Sequence, residues 1–167
     1  MDLNLNIRLA DLNDTQRIVE IYNQGIRNRN NAILDDIILE SYIKEFEKRN
    51  MIEYPIYVAE IDNTIYGWIS VSPYRANRRA YKGSKEVSFY LDETSLGKGI
   101  GTNLLRYVID NRSDIGFHTL FAILVANNER SIKLLKKFDF KLWGLMPKVL
   151  EMDKVLKDAI IYGRNFE

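Results

Sequence analysis

The chain has 167 residues, 46% hydrophobic and 28% charged with three prolines, the composition of a globular domain long enough to bury a core. Its 24 basic and 23 acidic residues leave a net charge of +1, so no global field argues for a nucleic-acid or membrane-surface partner. The lack of cysteine excludes disulfide scaffolds, thiolate zinc sites and a cysteine nucleophile, and a single histidine, His118, excludes most histidine-based metal sites.

The opening run MDLNLNIRLADLND lacks the basic-then-apolar order of a signal peptide, and no apolar stretch reaches membrane-spanning length. The expectation is one cytoplasmic domain over residues 1–167. Within it, LNIRL alternates as an edge or half-buried strand does. Asp14 stands at a helix N-cap position, and Ile18, Ile21, Tyr22 and Ile26 keep one face of that helix apolar until RNRNN ends it. A second amphipathic helix, IILESYIKEFEKRN, carries Ile38, Tyr42, Ile43 and Phe46 on its apolar face. YPIYVAEI and TIYGWISVSPY, joined across Asp62 and Asn63, predict a β-hairpin.

The basic connection RANRRAYKGSK reads as a solvated loop leading into the strand EVSFYL. The glycine-rich SLGKGIGTNLL then opens a helix predicted from about Gly99 to Asp114, with Ile100, Leu104, Leu105 and Val108 toward the sheet. HTLFAILV is nearly all apolar, as in a strand covered on both faces, with His118 as an edge residue. NERSIKLLKKF is a helix, and FKLWGLM and AIIYGRNF are the last strands, Trp68 and Trp143 being expected in the core. This order predicts an α/β (α+β) fold, a mixed, mostly antiparallel central sheet with helices on both faces.

Bare backbone at a helix start is an anion site, because the first N–H groups have no helical partner and carry the positive end of the dipole. The loop is not a Walker loop, since Gly97 and Lys98 are followed by Gly99 rather than Ser or Thr. Nor is it a dinucleotide fingerprint, since Thr102 occupies the third glycine position. A ligand-free tight turn remains open from the loop alone.

GWISVSPYR, EVSFYLDETSLGKGIGTNLL and NNERSIKLLKKFDF, in this order and spacing, resemble the GCN5-related N-acetyltransferases. IVEIYNQGI and the RRAY run of Arg78 to Tyr81 resemble the phosphinothricin and methionine sulfoximine N-acetyltransferase branch, and the likeness spans about Ile7 to Phe140. The resemblance implies that acetyl-CoA lies along EVSFYL, its pyrophosphate on the amides of Gly97, Lys98, Gly99, Ile100, Gly101 and Thr102. It likewise implies main-chain contacts from Phe89, Tyr90 and Leu91 to the pantetheine arm, and a coenzyme contact from Asn128. Lys137 matches another coenzyme-lining position, although by itself it reads as an exposed helix lysine.

The same resemblance makes Glu86 the candidate general base, a residue that on its own reads as a surface carboxylate at a strand start. Arg79 and Tyr81 match substrate-pocket positions, the arginine suiting a carboxylate, and Tyr22 belongs either to that pocket or to the core. The implied activity is acetyl transfer from acetyl-CoA to the amine of a small molecule, an amino acid or amino-acid-like toxin, by a homodimer with no metal, nucleic acid or membrane partner. A protein N-terminus or polyamine is the alternative acceptor. A weakly catalytic acyl-CoA-binding module is the alternative class, raised by three departures from the family pattern. Leu96 replaces Gln or Arg, Leu135 replaces a Tyr or His that serves as candidate acid for the sulfur, and Asp139 replaces Gly. An open tunnel at Glu86 separates an enzyme from such a module.

Overall fold

The computed structural model describes residues 4–166. Seven strands, β1 (Leu5–Leu9), β2 (Ile56–Ile61), β3 (Thr64–Pro73), β4 (Ser84–Leu91), β5 (Thr119–Val125), β6 (Lys141–Met152) and β7 (Val155–Asn165), form one sheet in the order β1-β2-β3-β4-β5-β7-β6. Every neighbouring pair is antiparallel except β4 and β5, which run parallel. The mixed, mostly antiparallel sheet is as the sequence predicts. The β2–β3 hairpin turns on Asp62 and Asn63 at φ 49° and 61°, the paired positive angles of a type I′ turn.

The helices divide between the faces. α1 (Thr15–Arg27) and α2 (Leu39–Lys48) send Ile18, Ile21, Tyr42 and Phe46 onto Val58, Ile65 and Trp68. On the opposite face α3 (Ile100–Asp110), α4 (Arg112–Ile115) and α5 (Glu129–Lys137) pack Leu104, Leu105, Ile115 and Leu135 against Ile69, Val87, Leu120 and Ile160. Alternation along β4 serves both layers, Val87, Phe89 and Leu91 packing toward α3 and Tyr90 toward α1. Lys85, 1% exposed, anchors the start of β4 by donating to the carbonyls of Glu53 (2.8 Å) and Ile115 (2.9 Å).

Four expectations are corrected. Asp14 does not cap α1 with its side chain, because its carboxylate takes both arms of the Arg8 guanidinium (2.7 and 2.9 Å) and the N–H of Asp11 (2.8 Å). The helix expected to reach Asp114 breaks at Asn111, whose side-chain amide and backbone N–H both donate to the Tyr107 carbonyl (2.8 and 3.1 Å) and close the turn. The last strands are longer than read, since β6 absorbs register shifts after Leu142 and Met146. Trp143 sits at the first of these shifts, 45% exposed, its ring laid on Gly163 where a Cβ would stand 2.2 Å from it.

Candidate active site

β4 and β5 pair over three positions only: Ser84 with Thr119, Lys85 with Leu120 and Glu86 with Phe121. β4 continues against β3 to Leu91 and β5 against β7 to Val125, so the two parallel strands part like a fork beyond Glu86. Main-chain groups on the inner side of the fork lose their ladder partner and need another. A cavity of about 790 Å³ fills the opening, within the range of small-ligand sites. Val87 and Leu91 line it from one side of the pleat and Glu86, Ser88 and Tyr90 from the other, so the cavity passes through the sheet. Ile123, expected to be covered on both faces, is 40% exposed because it borders this gap.

Past Leu96 at one end stands the glycine loop, whose residues Gly97 to Thr102 lie outside the cavity lining. Gly97 and Gly99 have φ of 80° and 81°, left-handed geometry that an L side chain resists. Gly99 caps α3 without a side-chain hydrogen bond, and the first helical bond runs from Asn103 N–H to the Gly99 carbonyl (3.1 Å). The N–H groups of Ile100, Gly101 and Thr102 therefore have no helical partner. Gly101 is buried, a Cβ there lying 3.2 Å from Leu134 and 3.3 Å from Leu91, so the helix start is held close to α5 and β4. Lys98 is exposed beside the loop, and Leu96, 39% exposed, lines the cavity mouth.

At the other end lies a group of side chains. Glu86 makes no salt bridge or hydrogen bond among the described residues, and burial pushes its carboxyl above the usual carboxylate range. The hydroxyls of Tyr22 and Tyr90 are raised by burial, with the Glu86 charge adding to the effect, so both phenols stay protonated near neutral pH. Their rings pack at 4.4 Å, Tyr90 stacks on Trp68 at 4.7 Å, and Trp68 Nε1 donates to the Ile18 carbonyl at 3.2 Å. That cluster fixes α1 to β3 and β4. Tyr22 thus lines the cavity and packs with the core at once.

The remaining candidates divide. Asn128 lines the cavity, caps α5 through Oδ1 (3.2 Å from Ser131 N) and donates from Nδ2 to the Asn30 carbonyl (3.0 Å), tying α5 to the α1–α2 loop. Lys137 is exposed in the last turn of α5, outside the cavity lining. Arg79 and Tyr81 lie on an exposed turn, also outside the lining. Tyr81 reaches the site indirectly, its ring 5.1 Å from Tyr74, which meets Phe121 at 4.8 Å beside Glu86.

The cavity also takes in Ser88, Arg130 and Ser131, which the sequence did not single out. Two periodicities marked two of them: Ser88 sits midway between Glu86 and Tyr90, and Ser131 is one helical turn after Asn128. Leu134 faces the cavity and Leu135 is fully buried in the core, so α5 presents no Tyr or His at that turn. Asp139 takes φ 60°, the left-handed turn its place before Phe140 requires.

The sequence profile of the Acetyltransferase (GNAT) family matches residues 18–140. YwnH, a candidate phosphinothricin acetyltransferase of Bacillus subtilis, is 34% identical over 162 residues, covering 96% of this chain and 99% of its own. The L-methionine sulfoximine/L-methionine sulfone acetyltransferase of Salmonella typhimurium is 30% identical over 147 residues, 87% of this chain and 85% of that one. The structure of a GNAT superfamily phosphinothricin acetyltransferase from Sinorhizobium meliloti in complex with AcCoA superposes with a TM-score of 0.89 at 27% identity, covering 97% of this chain and 88% of that one. With the forked sheet, the glycine-started helix and the through-sheet cavity, these matches show that the chain belongs to the GNAT acetyltransferase family.

Proposed function

We propose that the protein transfers the acetyl group of acetyl-CoA to the amine of a small molecule, an amino acid or amino-acid-like toxin of the phosphinothricin or methionine sulfoximine type. The observation that carries this reading is the open passage through the sheet, lined on its α1 side by an unpaired, partly buried Glu86, with the uncapped start of α3 following Leu96 just outside the lining. Acetyl-CoA fits these residues. The free N–H groups of Ile100, Gly101 and Thr102 suit a pyrophosphate, and the open inner edge of Phe89, Tyr90 and Leu91 suits a pantetheine arm laid as an added strand.

The coenzyme supplies an activated thioester. The amine lone pair forms the C–N bond as the C–S bond breaks, and the amine proton must leave before or during attack. Glu86 is the group placed to take it, directly or through one water, and its raised pKa brings it closer to the operating range of a general base. With Leu135 in the core, the sulfur departs as a thiolate whose ordinary pKa of about 8.5 makes it a tolerable leaving group unaided. The acceptor enters from the α1 side, past Tyr22, Ser88 and Tyr90.

The protein also acts as a homodimer in this reading. Leu142, Trp143, Leu145, Val149, Val155 and Leu156 on the β6–β7 hairpin are 45% to 58% exposed, an apolar surface of the kind a second copy covers. A cytoplasmic location accompanies it.

The test is free-thiol release from acetyl-CoA against amino acids, methionine sulfoximine, phosphinothricin, polyamines and short peptides, with Glu86→Gln in parallel. Turnover of an amino-acid-like acceptor that collapses in the variant is the expected result. Turnover of peptides or polyamines alone overturns the acceptor class, and coenzyme binding without turnover overturns the transferase reading.

A further inference from the structure

The turn between β4 and the glycine loop holds a buried carboxylate that the reaction does not use. Asp92 is 4% exposed. Its Oδ1 accepts from the Thr94 N–H (2.9 Å) and the Thr94 hydroxyl, and its Oδ2 accepts from Arg17 Nη2 (2.7 Å) and Gln24 Nε2 (3.0 Å) of α1. Its main chain is tied as well. The Asp92 N–H donates to the Tyr66 carbonyl (2.9 Å), and the Asp92 carbonyl accepts from the Ser95 N–H (2.9 Å) and Ser95 Oγ (2.7 Å). Gln24 adds a second clasp, its Oε1 accepting the Glu93 N–H at 3.1 Å.

The last link is the Ser95 carbonyl, which accepts the Lys98 N–H at 3.3 Å inside the glycine loop. Gly97 and Gly99 have no side chains to anchor the loop, and no side chain caps α3. A main chain this free in φ takes its direction from what holds its base. Arg17 offsets the Asp92 charge, so the anchor adds little repulsion toward a phosphate bound nearby.

We infer that Asp92 is a positioning residue for the coenzyme's pyrophosphate: through Thr94 and Ser95 it sets the direction of the loop N–H groups, and through Arg17 and Gln24 it fixes that loop to α1. The inference rests on the proposed use of acetyl-CoA. It goes further in assigning coenzyme affinity to a residue outside the cavity lining.

The experiment compares two donors, acetyl-CoA and S-acetylpantetheine, a thioester lacking pyrophosphate and nucleotide. Asp92→Asn keeps an acceptor for the Thr94 N–H and loses the charge facing Arg17. Its kcat/KM with acetyl-CoA should fall about tenfold further than with S-acetylpantetheine, the acceptor KM should stay constant, and the rise in Tm on adding acetyl-CoA should shrink. Gln24→Ala removes both clasps without stranding a carboxylate and should shift the donor ratio in the same direction. It carries the test if Asp92→Asn does not fold.

A parallel fall with both donors, as general loosening would give, overturns the inference, and so does an unchanged donor ratio. If the wild type turns over neither donor, the transferase reading fails by itself. The acetyl-CoA-induced Tm shift in the variants then decides the positioning role: a smaller shift than wild type supports it and an equal shift overturns it.

Discussion

The glycine loop ahead of α3, just past Leu96 at the edge of the cavity, presents main-chain N–H groups, whereas the Glu86 wall beneath α1 lines that cavity with side chains. Helix starts sharpen the contrast. α5 begins at the cavity and Asn128 caps it, whereas Gly99 leaves α3 uncapped. The lesson is that two helix starts in one fold can differ in whether their first N–H groups are already satisfied. Main-chain recognition suits a coenzyme that never varies, and side chains suit an acceptor that differs between relatives.

The side-chain half is broken most severely by Glu86→Gln, which should lower kcat/KM by about 10²–10⁴-fold, the range for a lost general base. The same variant should be more stable than wild type at neutral pH. Because folding raises the Glu86 pKa, its contribution to stability is present below the unfolded carboxylate value and is lost as pH rises through the folded one. The gain in Tm should thus appear above about pH 5 and vanish toward pH 3 to 4. A variant less stable than wild type at neutral pH would contradict the burial argument.

The main-chain half is broken by Gly99→Asp, which fills the empty cap with a carboxylate in a conformation aspartate tolerates. Acetyl-CoA affinity should fall about 10²-fold from repulsion and loss of donors, measured by calorimetry. Unchanged affinity would remove the loop from the phosphate site. Asn128→Ala uncaps α5 instead and should lower stability by about 1 kcal/mol, seen as a drop of about 2–4 °C in Tm. The smallest effect belongs to Arg29→Ala. Arg29 grips Asp153 at the β6–β7 turn through two bonds (2.8 and 2.9 Å), and this partly exposed pair should be worth about 0.2–1 kcal/mol, less at high salt.

Much of this was legible in the chain. Glycines at alternate positions before a helix with an apolar face announced a left-handed strand-to-helix turn, because few arrangements of L residues tolerate two left-handed angles in three positions. The Asp62–Asn63 dipeptide announced a hairpin for the same reason. Glu86 was less legible: one carboxylate at a strand start says nothing of its burial, and only its place within EVSFYL set it apart. Arg79 and Tyr81 sit on an exposed turn outside the cavity lining, while Ser88, Arg130 and Ser131, which no motif marked, line the cavity. Trp143 was expected inside because large aromatic residues bury well, but it lies on the edge strand β6 at a register shift, 45% exposed.

The sequence by itself determined what local backbone chemistry and periodicity control: the order of strands and helices, the left-handed turns at Asp62–Asn63 and the glycine loop, the apolar helix faces and the glycine start of α3. Only the tertiary structure decided where β4 leaves β5. That parting depends on β4 staying with β3 while β5 follows β7, contacts distant in the chain that no local pattern encodes. It is the parting that opens the passage beside Glu86, and it is the packing of α1 on β3 and β4 that joins Asp92 to Arg17 and Gln24, residues far away in sequence.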